Sequence, residues 1–213
     1  RRENISGCVS MPDRDGGQNV SGPEELKAVD GLTLPPEHRA ALRPGEAVTA
    51  ENGKRHHLPR FFYEVPSWDE AHSLRVATHF AMSELITVDS READLLLRTF
   101  PHYVPCAILA LARYLEDFRR EVASPVFISA NGGYRSPSHR INRGISLHNW
   151  GTAADIYRVG DTYLDNEKST TRYAGIAASL GAEVFVRPYQ DGDDHLQVDL
   201  GYLTLVPREC SES

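Results

Sequence analysis

Hydrophobic side chains recur at helical spacing in three stretches of the chain. The clearest is residues 105–122, where apolar positions repeat every three or four residues and Pro105 suits the first turn of a helix. Residues 166–181 show the same spacing and predict a second helix. Residues 90–100 predict a third, capped near Ser90.

Strands are predicted near residues 126, 154, 184 and 196. The stretch near residue 126 is β-branched and aromatic up to a glycine pair, those near residues 184 and 196 alternate apolar and polar positions, and the acidic turn QDGDD joins these two. Because helices come first and strands follow, the order of elements favours an α+β fold. We therefore expect helices packed on a mostly antiparallel sheet.

The first 60 residues lack any sustained apolar period. They are rich in glycine, proline and charge, as in MPDRDGGQNVSGPEE and LTLPPEHRAALRPGE. Such composition is typical of segments that bury little apolar surface. We interpret residues 1–60 as an extended or partly disordered N-terminal arm, and residues 61–213 as the folded domain.

The composition limits the classes of function that fit. A chain of 213 residues with 40% hydrophobic content suits one globular domain with an added arm. Its 23 basic and 30 acidic residues give a formal charge of −7, which argues against a nucleic-acid partner. No apolar run approaches the roughly 20 residues that a membrane-spanning helix needs.

Candidate metal chemistry is concentrated in the stretch SLHNWGTAADIY, residues 146–157. A histidine, His148, precedes Asp155 by seven positions, and the small residues Gly151, Ala153 and Ala154 lie between them. Imidazole and carboxylate are both good zinc ligands, and a catalytic zinc uses three protein ligands and an open position. Spacing alone does not separate a ligand from an ordinary polar histidine.

The longer sequence pattern is more specific. SLHNWGTAAD fits the S-x-H-x-x-G-x-A-x-D signature of the zinc D-Ala-D-Ala carboxypeptidases and dipeptidases of the M15 peptidase class, with all five fixed positions matching. GGYRSPSHR upstream resembles that family's GYRSP segment, and DDHLQVDLG downstream resembles its closing DHxHxD strand. The resemblance covers residues 76–203 and implies the hedgehog/D-Ala-D-Ala peptidase fold.

The resemblance also implies roles for individual residues. His148 and Asp155 would bind zinc, and Asp194 would be the general base. Arg135 would act in catalysis and face the substrate, where its planar fork of donors suits a carboxylate or a developing oxyanion. Tyr134 and Ser146 would also contact the substrate.

The chain departs from the family pattern at the third zinc ligand. The family has the second histidine of HxH at this position, and this chain has Gln197. His195 matches the first histidine, which usually supports the site. Three outcomes stay open: His195 becomes the third ligand, Gln197 coordinates weakly through its amide oxygen, or zinc binding is lost.

Two classes of function follow from the resemblance. The first is a zinc metallopeptidase that cuts a peptide bond in bacterial cell-wall stem peptides, with a peptidoglycan stem peptide or another D-amino-acid-containing peptide as its partner. The second is a non-catalytic relative that acts as a peptide-binding or signalling module, as hedgehog domains do on this fold. Since the chain begins at Arg1, we expect a processed product that acts in the periplasm, in the cell wall or outside the cell.

Overall fold

The structure is a computed structural model, and it describes residues 22, 26–86, 93–181 and 184–207. Within these residues the fold mixes five α-helices with antiparallel sheets, as the α+β prediction requires. The strands are β1 (Ala28–Asp30), β2 (Ala47–Thr49), β3 (Arg55–His57), β4 (Phe61–Val65), β5 (Arg75–Ala77), β6 (Phe80–Ala81), β7 (His102–Pro105), β8 (Val126–Ile128), β9 (Ala153–Val159), β10 (Thr162–Tyr163), β11 (Phe185–Val186) and β12 (Leu196–Asp199). The helices are α1 (Pro36–Leu42), α2 (Trp68–Ser73), α3 (Met82–Leu85), α4 (Ile108–Val122) and α5 (Glu167–Ser179).

The largest sheet has five antiparallel strands and organises the C-terminal half. Its order is β10-β9-β12-β11, and β8 also pairs with β9. Helices α4 and α5 pack on one face of this sheet, because Ala154 and Ile156 of β9 and Val198 of β12 share a buried cluster with both helices. Side chains alternate along a strand, so the residues between these point to the opposite face.

The helix predicted over residues 105–122 begins later than its sequence suggested. Pro105 is the last residue of β7, and α4 starts at Ile108. The apolar positions that predicted the helix are buried, Leu111, Leu115 and Phe118 among them. A proline is compatible with both places, because it closes a strand as readily as it opens a helix.

The region predicted as an arm contains regular structure from Leu26 onwards. Strand β1 pairs with β4, which in turn pairs with β7, so the arm and the later residues share one antiparallel sheet. The hairpin of β2 and β3 packs on Trp150, which lies with Val48 and Leu58 in a buried cluster. Residues 1–21 and 23–25 lie outside the described residues.

The helix predicted over residues 90–100 is described only in part. Ser90, the expected cap, lies outside the described residues, and residues 96–98 form a single 3-10 turn. Leu95, an apolar residue of this stretch, is 67% exposed. No helix among the described residues is long and apolar enough to cross a membrane.

Candidate metal and substrate site

The candidate site lies on the face of the large sheet opposite α4 and α5. Asp155 of β9 is buried there, and Gln197 of β12 is its direct partner in the antiparallel pair. His195 precedes Gln197 by two residues, so its side chain emerges on the same face. His148 comes from the 3-10 turn over residues 147–150, which leads through Gly151 into β9.

Two imidazoles approach the same oxygen of Asp155. Its Oδ1 atom lies 3.4 Å from Nε2 of His148 and 3.4 Å from Nε2 of His195. This oxygen is buried and accepts no hydrogen bond from any described residue. The other carboxylate oxygen, Oδ2, lies 4.0 Å from Nη1 of Arg135. The imidazoles of His148 and His195 therefore both approach one buried oxygen of Asp155, and these three residues are the potential metal ligands.

Both imidazoles are held through their other nitrogen. Nδ1 of His148 donates to the backbone oxygen of Gly133 at 2.9 Å. Nδ1 of His195 is 2.7 Å from Oδ1 of Asp194. A carbonyl or carboxylate on Nδ1 fixes the tautomer and directs the Nε2 lone pair elsewhere, as metal-binding histidines require. In both histidines Nε2 faces Oδ1 of Asp155.

The spacing of these donors fits a tetrahedral zinc site. Zinc bonds to nitrogen and oxygen of about 2.0–2.2 Å place neighbouring ligand atoms about 3.4 Å apart in a tetrahedron. Both pairs have this separation. As they stand, the described residues contain no complete group of three or more His, Cys, Asp or Glu side chains that could hold a metal ion. The fit therefore rests on the two pairs that share Asp155.

The charges around Asp155 keep its carboxylate ionised. Burial on its own raises the pKa of Asp155, but the imidazoles of His148 and His195 in their protonated form and the guanidinium of Arg135 outweigh burial and hold the pKa below its usual value. Burial lowers the pKa of Arg135, while Asp155 and Glu51 favour its charged form. Nη1 of Arg135 also donates to the backbone oxygen of Asn131 at 2.7 Å, which fixes the guanidinium.

A glycine pair lets the chain pass close to Asp155. The backbone of Gly132 accepts a hydrogen bond from the Asp155 amide at 2.8 Å. A Cβ atom on Gly132 would meet the Ser129 hydroxyl and would lie 2.8 Å from Cβ of Asp155. A Cβ atom on Gly133 would collide with the backbone of Leu85. Both positions therefore require glycine because of close approach.

We predict that Gly132→Ala lowers the free energy of unfolding by about 1–3 kcal/mol, because the added methyl overpacks the backbone that carries Asp155. Denaturant unfolding followed by circular dichroism measures the change. Gly175→Ala in α5 is the matched control, since its added methyl would meet nothing within 4 Å, and it is expected to be neutral or stabilising. Equal stability of Gly132→Ala and the wild type would contradict the prediction.

A cleft of about 550 Å³ opens beside the ligand cluster. Gln197, Arg135 and His148 line it on one side, and Ser146 lies at its edge. The Ser146 hydroxyl is buried and has no hydrogen-bond partner among the described residues. The remaining lining comes from residues 141–145 and from residues 49–51 of the N-terminal region.

The other predicted site residues occupy different places. Tyr134 is buried and lines a separate cavity of about 40 Å³, together with His102 and His139. The Asp194 side chain is 86% exposed, and its described contact is with His195. The structure thus brings His148, Asp155, His195 and Arg135 together, sets Gln197 and Ser146 along the cleft, and leaves Tyr134 out of it.

Glu51 is a cleft residue that sequence reasoning missed. It follows β2, and its backbone amide donates to the oxygen of Ile145 at 3.2 Å. No local pattern marks this glutamate, because the hairpin that carries it meets the cleft through contacts almost a hundred residues apart in sequence. Only the packing of the hairpin on Trp150 could have pointed to it.

Comparison of the chain with protein-family models, curated proteins and solved structures finds no match.

Proposed function

We propose that the protein is a zinc-dependent peptidase that cuts a peptide bond in bacterial cell-wall stem peptides, in the manner of D-Ala-D-Ala carboxypeptidases. The observation that carries the proposal is the buried Oδ1 of Asp155, 3.4 Å from Nε2 of both His148 and His195. The matched signature around His148 adds to it, and the resemblance implies the hedgehog/D-Ala-D-Ala peptidase fold. Such substrates place the protein in the periplasm, the cell wall or outside the cell.

We assign the third ligand position to His195 instead of Gln197. Side chains two residues apart on a strand share a face, so the ligand can move from position 197 to position 195 without leaving the site. Nε2 of His195 faces Asp155, and imidazole is a better zinc donor than an amide oxygen. Gln197 is then free to bind the substrate from the cleft wall.

Each residue of the cluster has a chemical task. A bound zinc would polarise the scissile carbonyl and lower the pKa of a coordinated water. Arg135, held by Asn131 and only 14% exposed in its side chain, offers fixed donors to a substrate carboxylate or to negative charge developing on the carbonyl oxygen. The burial of Asp155 and His148 excludes bulk water from one side of the reacting bond.

Asp194 contacts His195 in the way that a positioning residue does. Its Oδ1 atom, 2.7 Å from Nδ1 of His195, orients the imidazole. The general-base role that the resemblance implies for Asp194 stays a prediction.

A binding module is the second candidate. Gln197 favours it, since this chain lacks a histidine at the family's third ligand position. The absence of a complete metal-binding group among the described residues points the same way. Such a module would keep the cleft and Arg135 and would hold a stem peptide without cutting it.

Metal content and hydrolysis separate the two candidates. We expect protein purified without chelator to hold about one zinc per chain, measured by plasma emission spectrometry. It should release D-alanine from Nα,Nε-diacetyl-Lys-D-Ala-D-Ala, lose this activity when the metal is removed, and regain it with added zinc. Protein that holds no zinc at micromolar metal and cuts no peptide, yet binds this peptide, would establish the binding module.

A further inference from the structure

One part of the cleft wall is formed by residues outside the signature stretch 146–155, namely residues 49–51. The turn between β2 and β3 lies against residues 145–147, where the amide of Glu51 donates to the oxygen of Ile145 at 3.2 Å. The Oε1 atom of Glu51 is 3.4 Å from the amide nitrogen of Leu147, a long hydrogen bond. The side chain therefore stands at a defined place while most of its hydrogen-bonding capacity stays available to a ligand.

The cleft has opposite charges at different points of its wall. Among the described residues that line it, Glu51 is the single acidic one, while Arg135 and Arg143 are basic. Arg135 is deep and fixed by Asn131, and Glu51 is exposed. A ligand that fits this distribution carries both a carboxylate and a cation.

An aromatic pair helps to hold the hairpin that carries Glu51. The Tyr202 ring stacks on His56 of β3 at 3.8 Å between centroids and meets Trp150 edge to face at 4.9 Å. The hairpin is therefore fixed beside the cleft, and an ammonium group in the cleft would offset the negative charge of Glu51.

Glu51 lies outside the ligand cluster. The charged groups that act on Asp155 are His148, His195 and Arg135, and the described hydrogen bonds of Glu51 go to residues 145 and 147. The Glu51 carboxylate does favour the charged form of Arg135, so it acts on the residue that faces the substrate and not on Asp155.

We propose that Glu51 recognises a primary ammonium group on the peptide whose carboxylate Arg135 holds. The proposal rests on the proposed function, because it takes the ligand to be a peptide in this cleft. The ammonium group comes either from the free N-terminus of the peptide or from a lysine-type side chain. Both sources present the same –NH₃⁺ group, so acetylation of one or the other tells them apart.

Binding is measured by calorimetry on the full chain with four peptides of the same backbone: Lys-D-Ala-D-Ala, its Nα-acetyl form, its Nε-acetyl form, and its Nα,Nε-diacetyl form. We expect a peptide with the recognised amine to bind about tenfold more tightly than the diacetyl peptide. The monoacetyl form that keeps this preference identifies the source. Metal-depleted protein is used, so that hydrolysis does not contribute.

Glu51→Gln should remove the preference, since glutamine has the same shape without the charge. Asp161→Asn is the matched control: it removes one negative charge from the turn between β9 and β10, outside the cleft. This control should keep the tenfold preference.

The outcomes separate this proposal from the proposed function. A preference for the amine that persists in Glu51→Gln, or equal binding of all four peptides by the wild type, overturns the role of Glu51 and leaves the peptidase intact. A Glu51-dependent preference in a protein that never hydrolyses a peptide supports the role of Glu51 and refutes the peptidase. Failure of the wild type to bind any of the four peptides overturns the role of Glu51, and the hydrolysis assay with added zinc tests the peptidase separately.

Discussion

His148→Ala should reduce zinc affinity by more than about 100-fold, because loss of residues that merely orient ligands already costs roughly 10–100-fold. The imidazole of His148 is buried, its Nδ1 is engaged with Gly133, and its Nε2 faces Asp155. Removing it takes one strong donor from a set of three. Zinc affinity is measured by competition with a chromogenic chelator, and release of D-alanine should fall in parallel.

His72→Ala provides the control for His148→Ala. This histidine lies on the surface helix α2 and is exposed, so its loss should leave zinc affinity unchanged. Circular dichroism and the unfolding midpoint establish that the His148 variant is folded before affinities are compared. A folded His148→Ala protein with wild-type zinc affinity would show that the cluster around Asp155 is not the metal site.

His195→Ala and Gln197→Ala should have different effects on zinc affinity, although the two residues lie only two positions apart in sequence and face the same side of the sheet. His195→Ala should lose zinc affinity by more than about 100-fold, since a ligand is removed outright. Gln197→Ala should keep zinc affinity within a few-fold of the wild type, because its amide faces the cleft. The same chelator competition measures both.

A double variant sharpens this comparison. His195→Ala combined with Gln197→His places an imidazole directly opposite Asp155 in the strand pair, where the family pattern has its third ligand. Zinc affinity should recover at least partly relative to His195→Ala alone. The opposite pattern, with zinc kept in His195→Ala and lost in Gln197→Ala, would assign the third ligand to the amide oxygen of Gln197.

The parts of the fold that could be predicted from the sequence are those with local patterns. The apolar period of α4 extends over 15 residues, so this helix can be predicted before any tertiary contact is known. The start of α4 was misplaced by three residues because Pro105 fits the end of a strand as well as the start of a helix.

The N-terminal region could not be predicted in this way. Strands β1, β2 and β3 have three residues each, which is too short for an alternating pattern to stand out from chance. They are held by pairing with β4 and by packing on Trp150, both of which are distant in sequence. The same reason explains why Glu51 was not recognised as part of the cleft.

For the candidate site, the sequence located His148 and Asp155 through a dense local signature. It left the choice between His195 and Gln197 open, because both positions lie on one strand face and only three-dimensional distances distinguish them. The resemblance to the family implied that Tyr134 contacts the substrate. Its buried backbone pairs with residues 85 and 86 instead, which turns the side chain to a different cavity.

Docking of the hairpin of β2 and β3 affects the stability of the site and the free energy of ligand binding. Trp150 donates its indole hydrogen to the oxygen of His57 at 3.0 Å, and it is fully buried beneath the hairpin, only two residues after His148. Undocking the hairpin would expose this indole and open the cleft, so docking and ligand binding must be coupled reciprocally. Any ligand of the cleft therefore tightens the attachment of residues 47–57. Conversely, a chain cut at residue 60 would begin with a destabilised site even though every signature residue is still present.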